Sequence, residues 1–207
     1  VAGAFLAIGQ SDIKRMFAYS SISQVGFIIL GLGLGTPLGL VGGLYHLVNH
    51  ALFKSLLFLN AGSIEYTTGT RDLRRLGGLN RALPVTGTTS LIGSMSIAGL
   101  PPFNGFWSKL IIVIACVEAG QLGFAIMAIV VSIITLAYQL KAQRMAFFKS
   151  LPNRLQGMQS EPRWMAAAMV LLAIGCLALS LLVITGLRDP WLIGAAQATL
   201  SAGVLGG

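Results

Sequence analysis

An apolar stretch over residues 84–118 is cut in its middle by Leu100-Pro101-Pro102-Phe103-Asn104-Gly105-Phe106-Trp107-Ser108-Lys109. Two consecutive prolines remove two backbone donors and clash with the preceding turn, so no helix runs unbroken through them. At membrane depth the freed backbone groups are tolerated only where protein or a water-filled cavity satisfies them. A lysine follows directly, and an ionisable side chain inside a membrane is a functional candidate by default. Pro101, Pro102 and Gly105 therefore define the helix break around which the chain is organised.

That the stretch lies in a membrane follows from composition. Hydrophobic residues make up 55% of the chain and charged residues only 10%, which excludes an ordinary soluble globule. The expected fold class is all-α, a polytopic transmembrane helical bundle with one proline-broken helix. Residues 1–10 read as the tail of a preceding helix. Spans follow at 12–35, opening on a Ser11-Asp12 cap, and at 37–63, opening on Thr36-Pro37. A polar loop covers 64–83, the broken element 84–118, and another span 121–149. Residues 150–162 form a loop, 163–187 the final span, and 188–207 a short tail. The chain begins at Val1 and reads as a fragment or as half of a split protein.

The formal charge of +8 is accounted for by topology. With residues 84–118 crossing once, Lys14, Arg15, Arg71, Arg74, Arg75, Arg81, Lys141, Arg144, Lys149, Arg154 and Arg163 all fall on one side, and Arg188 falls on the other. Two crossings would put the basic loops on opposite sides and erase the bias. The positive-inside rule selects the single broken span, with the basic loops cytoplasmic. Nucleic-acid binding is thereby excluded as the reason for the charge. Cys116 and Cys176 lie in apolar runs without a second ligand at metal spacing, and read as packing residues.

Lys54 and Lys109 remain inside the bilayer. His46, His50 and Lys54 recur at four-residue spacing, which places them on one helix stripe. One such histidine is more often a hydrogen-bonded packing residue; three titratable groups in register favour a proton relay. The span at 12–35 offers a polar face of Tyr19, Ser20, Ser23 and Gln24. Asn104 and Ser108 add polar atoms beside Lys109. The first half-helix is expected to end near residues 98–100 with free carbonyls that favour a cation, and the second to begin near Asn104 with free donors that oppose one. The bland alternative for Lys109 is a lysine snorkelling to a membrane edge.

At these residues the chain resembles the antiporter-like membrane subunits of complex I, of membrane-bound hydrogenases and of multi-subunit cation/proton antiporters. The matching text is Ser11-Asp12-Ile13-Lys14-Arg15, Ala18-Tyr19-Ser20-Ser21-Ile22-Ser23-Gln24, His46-Leu47-Val48-Asn49-His50-Ala51-Leu52-Phe53-Lys54, Leu76-Gly77-Gly78-Leu79 and Leu100-Pro101-Pro102-Phe103-Asn104-Gly105-Phe106-Trp107-Ser108-Lys109. The resemblance implies that residues 1–149 belong to the second of two inverted repeats, and that the first repeat, with its glutamate and partner lysine, is absent here. It implies Lys54 as the central relay lysine, His46 and His50 as its hydrated approach, and Lys109 as the lysine of the broken helix near the terminal protonation site. It also implies a proton-translocating subunit of a redox-driven complex in a prokaryotic plasma membrane, itself non-catalytic for electron transfer. No cofactor is expected in this chain, and iron-sulfur clusters only in partner subunits. The expected partners are other membrane subunits, including one that supplies the missing half. A Na⁺/H⁺ antiporter subunit without redox partners and a structural half-subunit remain the alternatives.

Overall fold

The computed structural model describes residues 1–184, which form helices joined by short loops, with no β-strand among them beyond one isolated bridge. Helix α1 (Ala2–Ile8) packs on α2 (Ile13–Gly33). The Asp12 carboxylate accepts the backbone N–H groups of Lys14 and Arg15 at 2.9 and 3.0 Å, satisfying two of the free donors at the start of α2. An antiparallel bridge of Asp12 with Asp72 ties that helix start to the loop beyond α3, and the Arg71 guanidinium lies 3.5 Å from the Asp12 carboxylate. Asp12→Ala removes the cap and this anchor, so the melting temperature of the protein should fall by about 2–4 °C for a cap worth about 1 kcal/mol.

Helix α3 (Pro37–Thr68) opens as expected, with the Thr36 hydroxyl accepting the Gly39 N–H at 3.1 Å and Pro37 in the first turn. It does not stop at residue 63. The polar stretch Glu65-Tyr66-Thr67-Thr68, expected as loop, continues the helix: the Thr67 and Thr68 hydroxyls donate back to the carbonyls of Ser63 and Ile64. Glu65 is held by Lys14 at 2.5 Å and Arg71 at 3.5 Å. The 32 residues of α3 span about 48 Å at 1.5 Å per residue, well beyond a hydrocarbon core of about 30 Å, so polar residues at its end meet water while remaining helical. The following loop contains a 3₁₀ turn, Leu73–Arg75, and a short helix α4 (Leu79–Ala82). In that turn the Arg74 guanidinium and backbone N–H hold the Asp72 carboxyl below its usual range.

The broken element is two helices, α5 (Pro84–Ala98) and α6 (Asn104–Glu118), with its ends where the prolines require them. Helix α7 (Leu122–Gln143) leads into one π turn, Arg144–Phe148. The loop over 150–162 contains a single 3₁₀ turn, Asn153–Leu155, and α8 (Arg163–Ile184) closes the described chain. The expected end of the last span at Leu187, the Arg188-Asp189-Pro190 closure and the tail at 188–207 lie outside the described residues.

Among the described residues, three helices are individually long and apolar enough to cross a membrane: Ile13–Gly33, Leu122–Phe148 and Arg163–Val183. The α3 helix is long enough but diluted by its polar stripe, and α5 and α6, at 15 residues each, cross only as a pair. Ile22 and Ile29 on α2 and Ile126 and Ile133 on α7 are exposed, the surface of an integral membrane protein. Cys116 and Cys176 are both buried and unbridged within apolar clusters.

Helix α3 is the hub, packing against α2, α5, α6 and α8. Its Phe53, Leu56, Leu57 and Ile64 join Phe17 of α2 and Tyr138 of α7 in the main apolar cluster. A central helix that carries a polar stripe thus meets side chains from four neighbours, and these provide the partners described next.

Candidate functional site

The break is assembled by close backbone approach. Gly99, at φ 80°, turns the chain out of α5, and its N–H closes onto the carbonyls of Met95 and Ser96. The next two carbonyls, Ile97 and Ala98, have no helical donor left. The Lys109 ammonium supplies it, donating to Ile97 at 2.8 Å and lying 3.4 Å from the Ala98 oxygen. A cation at the C-terminal end of a half-helix is also favoured by its dipole. Lys109 is 5% exposed, with the Phe27 ring 4.8 Å from its nitrogen. It does not snorkel to an edge; it is held within the break. On the outer side of the break, Trp107 donates to Ser180 of α8 at 3.1 Å, and Ser180 in turn donates to the Pro102 carbonyl.

Lys54 is 6% exposed, and its ammonium donates to the Phe17 carbonyl at 2.8 Å and to the Ser20 hydroxyl. Among the described residues, the ion pairs all lie at the basic loops: Lys14 and Arg71 with Glu65, Arg71 with Asp12, and Arg74 with Asp72. Neither buried lysine has a carboxylate partner there. Each holds its proton against neutral oxygens, so a proton can leave without breaking an ion pair.

His46 stands between the two lysines in the packing order. It is fully buried, with Nδ1 2.8 Å from the Ser108 hydroxyl and Nε2 3.2 Å from the Gln24 Oε1. The Ser108 hydroxyl also lies 3.2 Å from the Gly105 carbonyl. Ser108 has one proton to give. When it points at Nδ1, the ring is neutral and its Nε2–H donates to Gln24. When it points at Gly105, its oxygen accepts from a protonated Nδ1, either in the neutral Nδ1–H tautomer with the Gln24 amide turned to donate to Nε2 or in an imidazolium that donates from both nitrogens. Rotation of the Ser108 hydroxyl therefore accommodates either state of Nδ1. Ser108→Ala leaves the buried His46 Nδ1 without its partner and should cost about 1–3 kcal/mol of stability. Ser108→Thr, which keeps the hydroxyl, should retain most of that stability, and thermal melts of the two variants check this.

The four-residue stripe is not one continuous chain of bonds. His50 is half-buried, stands edge-on to the Phe53 ring with centroids 5.7 Å apart, and leaves Nε2 without a partner. Phe53, fully buried, also lies against His46 at 6.1 Å between centroids. Two of the three stripe residues, His46 and Lys54, bond to other helices rather than to each other, because their partners come from the rotation of α2 and α6 about their own axes. Ser23 Oγ and Gln24 Nε2 are likewise buried without partners. With His50 Nε2 they make three open polar atoms on α2 and α3, the helices that carry Ser20, Lys54 and His46. Polar atoms of this kind in native structures hold water.

Asn104 joins α6 to α3: its Nδ2 donates to Asn49 Oδ1 at 2.9 Å, and Asn49 Nδ2 donates to the Asn104 carbonyl at 3.2 Å. Tyr19 is half-buried and packs against the main apolar cluster. Asn49 and the Phe17 carbonyl are site members that residue patterns did not single out. An asparagine one turn after His46 is a signal for Asn49; nothing in a side-chain pattern marks the Phe17 carbonyl. Among the described residues, no group of three or more His, Cys, Asp or Glu is close enough to hold a metal ion.

Residues 1–135 match the sequence family described as NADH:quinone oxidoreductase/Mrp antiporter, transmembrane. The chain belongs to that family. It is 38% identical over 186 residues to the A/B subunit of a probable K⁺/H⁺ antiporter from Rhizobium meliloti, covering 87% of this chain and 19% of that protein. It is 40% identical over 151 residues to the NADH-quinone oxidoreductase subunit N of Desulforudis audaxviator, covering 73% and 30%. Among solved structures it is similar to a chain of the Mrp complex from Dietzia sp. DQ12-45-1b, with a TM-score of 0.87 at 30% identity, over 98% of this chain and 45% of that one. The chain thus spans less than half the length of these members of the NADH:quinone oxidoreductase/Mrp antiporter family, and the site just described falls within the matched span.

Proposed function

We propose that this chain carries protons across the membrane as one subunit of a larger ion-translocating complex, along Lys54, Ser20, His46, Ser108 and Lys109. One observation carries the proposal: two buried lysines, without carboxylate partners among the described residues, flank a histidine whose Nδ1 meets a Ser108 hydroxyl able to serve it as donor or acceptor. Water at the open atoms of Ser23, Gln24 and His50 bridges Lys54 to His46. Lys109, seated on the carbonyls of Ile97 and Ala98, receives the proton at the break. The basic loops face the cytoplasm of a prokaryotic cell, in line with the positive-inside rule. Other membrane subunits flank the chain and complete the path, and any iron-sulfur centres that drive it reside in partner subunits.

A second reading is exchange of a monovalent cation for a proton without redox partners, and it draws on the relative from Rhizobium meliloti, which is named for K⁺/H⁺ antiport. Purification of the native complex followed by reconstitution in vesicles separates the two. A redox-driven pump co-purifies with iron-sulfur subunits and moves protons on addition of an electron donor, in the absence of Na⁺ or K⁺. An antiporter lacks those subunits and moves protons only against a cation gradient. If neither condition moves protons through the intact complex, the proposal fails and the chain serves only as a structural half-subunit.

A further inference from the structure

Helix α8 lies across both half-helices and against α3, and near the break it carries a polar side chain that the relay does not use. Ser180 is 3% exposed. Its hydroxyl accepts the indole N–H of Trp107 on α6 at 3.1 Å and donates to the Pro102 carbonyl in the linker between the half-helices. A hydroxyl has one proton to give and lone pairs to receive, whereas an indole N–H only donates and a proline carbonyl only accepts. One side chain of α8 thereby satisfies two groups that hydrocarbon would leave unpaired. The preceding residue ties α8 to α3: the Tyr45 hydroxyl, next in sequence to His46, donates to the Leu179 carbonyl at 2.9 Å. Successive residues of α8 therefore hold the helix of the stripe and the break.

Trp107 is followed directly by Ser108 and Lys109. On a helix of 3.6 residues per turn consecutive side chains point about 100° apart, so these three reach three different neighbours. Trp107 meets Ser180 of α8, Ser108 lies 2.8 Å from Nδ1 of His46 on α3, and Lys109 donates to the Ile97 carbonyl of α5 at 2.8 Å. A roll of α6 about its own axis that loosens one of these contacts displaces the other two. Of the three, Trp107 has no part in moving a proton.

The geometry points to Ser180 as a positioning residue for Ser108 and Lys109. By joining the Trp107 indole to the Pro102 carbonyl it fixes the rotation of α6, and with it the aim of Ser108 at His46 and of Lys109 at the end of α5. Ser180 bonds to none of the relay groups and acts on them through Trp107. This role for Ser180 rests on the reading of Ser108 and Lys109 as relay groups and adds what sets their aim.

The test uses the intact complex in vesicles, with proton flux followed over a series of pH values and a thermal melt on the same preparation. Ser180→Ala should lower flux by about tenfold, within the scale on which a small misplacement of acting groups costs rate. It should also displace the midpoint of the flux–pH profile by about half a unit or more, because the Lys109 ammonium changes its polar surroundings. Ser180→Thr, which keeps the hydroxyl, should restore both to near wild type. Trp107→Phe, which keeps an aromatic ring and removes the N–H, should reproduce the Ser180→Ala profile. Wild-type flux and profile in Ser180→Ala overturn the role. So does a flux that falls only as far as the amount of assembled complex falls, with the midpoint unchanged, which is the behaviour of a packing residue. Loss in Ser180→Ala that neither Ser180→Thr restores nor Trp107→Phe reproduces also overturns it. Where Ser180→Ala fails to assemble, Trp107→Phe decides by the same two readings. Wild-type flux in Lys109→Met is a separate outcome: it removes the relay reading itself, whereas an inactive Lys109→Met beside an unaltered Ser180→Ala removes only the role of Ser180.

Discussion

Replacing Lys54 with methionine should abolish proton movement through the assembled complex while leaving the fold intact. Methionine fills nearly the same volume as the lysine stem, and the Phe17 carbonyl it leaves behind also belongs to a helical backbone that already positions it. The Ser20 hydroxyl keeps a partner too, donating to Phe17 at 3.1 Å. The stability change should therefore be small, below about 1.5 kcal/mol for a volume-conserving swap. Flux, by contrast, should fall by about a hundredfold or more, since the buried amine that meets Ser20 is gone and every tenfold corresponds to about 1.4 kcal/mol of barrier. Flux in vesicles and a thermal melt on the same preparation check the two halves. Wild-type flux with a wild-type melt would show that Lys54 is a packing lysine.

The largest effect on the fold is expected at Gly105. A Cβ built there would fall deep inside the van der Waals contact distance of the Ser96 carbonyl oxygen, a backbone atom that cannot step aside. The start of α6 is pressed against the last turn of α5 at this point, and this contact brings Lys109 to the carbonyls of Ile97 and Ala98. Gly105→Ala must pry the half-helices apart, at a cost on the order of 4 kcal/mol, in the exceptional range for a single substitution. The expected result is loss of assembly or a steep drop in melting temperature. In any protein that does assemble, the Lys109 seat should be open and flux lost. An unperturbed melt for Gly105→Ala would mean that the two half-helices do not meet as closely as described.

The break was legible because its signal is covalent. Pro101 and Pro102 interrupt a helix, so the bounds of α5 and α6 could be read from residue type; that Lys109 sits on the carbonyls of Ile97 and Ala98 could not, since the donor end of the second half-helix opposes a cation there. The Asp12 cap and the Thr36-Pro37 start were legible for the same local reason. The overrun of α3 past residue 63 was not, because Glu65, Thr67 and Thr68 are polar and look like loop. Their helical state depends on Lys14 and Arg71, which other parts of the chain bring up. The histidine stripe was legible as a pattern but not as a geometry. Spacing placed His46, His50 and Lys54 on one side of α3, while the rotation of α2 and α6 decided that His46 meets Gln24 and Ser108, that Lys54 meets Phe17 and Ser20, and that Tyr19 packs in the apolar cluster. Ser180 carried no signal alone, since single polar residues in apolar helices are common and its meeting with Trp107 and Pro102 is a property of α8 and the break together.

The proposed relay depends on water between Lys54 and His46, whose side chains bond to Phe17 and Ser20 and to Ser108 and Gln24 rather than to each other. A structure of the whole complex at a resolution that shows ordered water tests this most directly. Water should appear at the open atoms of Ser23, Gln24 and His50, within hydrogen-bond distance of both the Ser20 and His46 sides. If that space is dry and filled by packed side chains in both resting and driven complexes, Lys54 and Lys109 are not joined and the proton relay is contradicted.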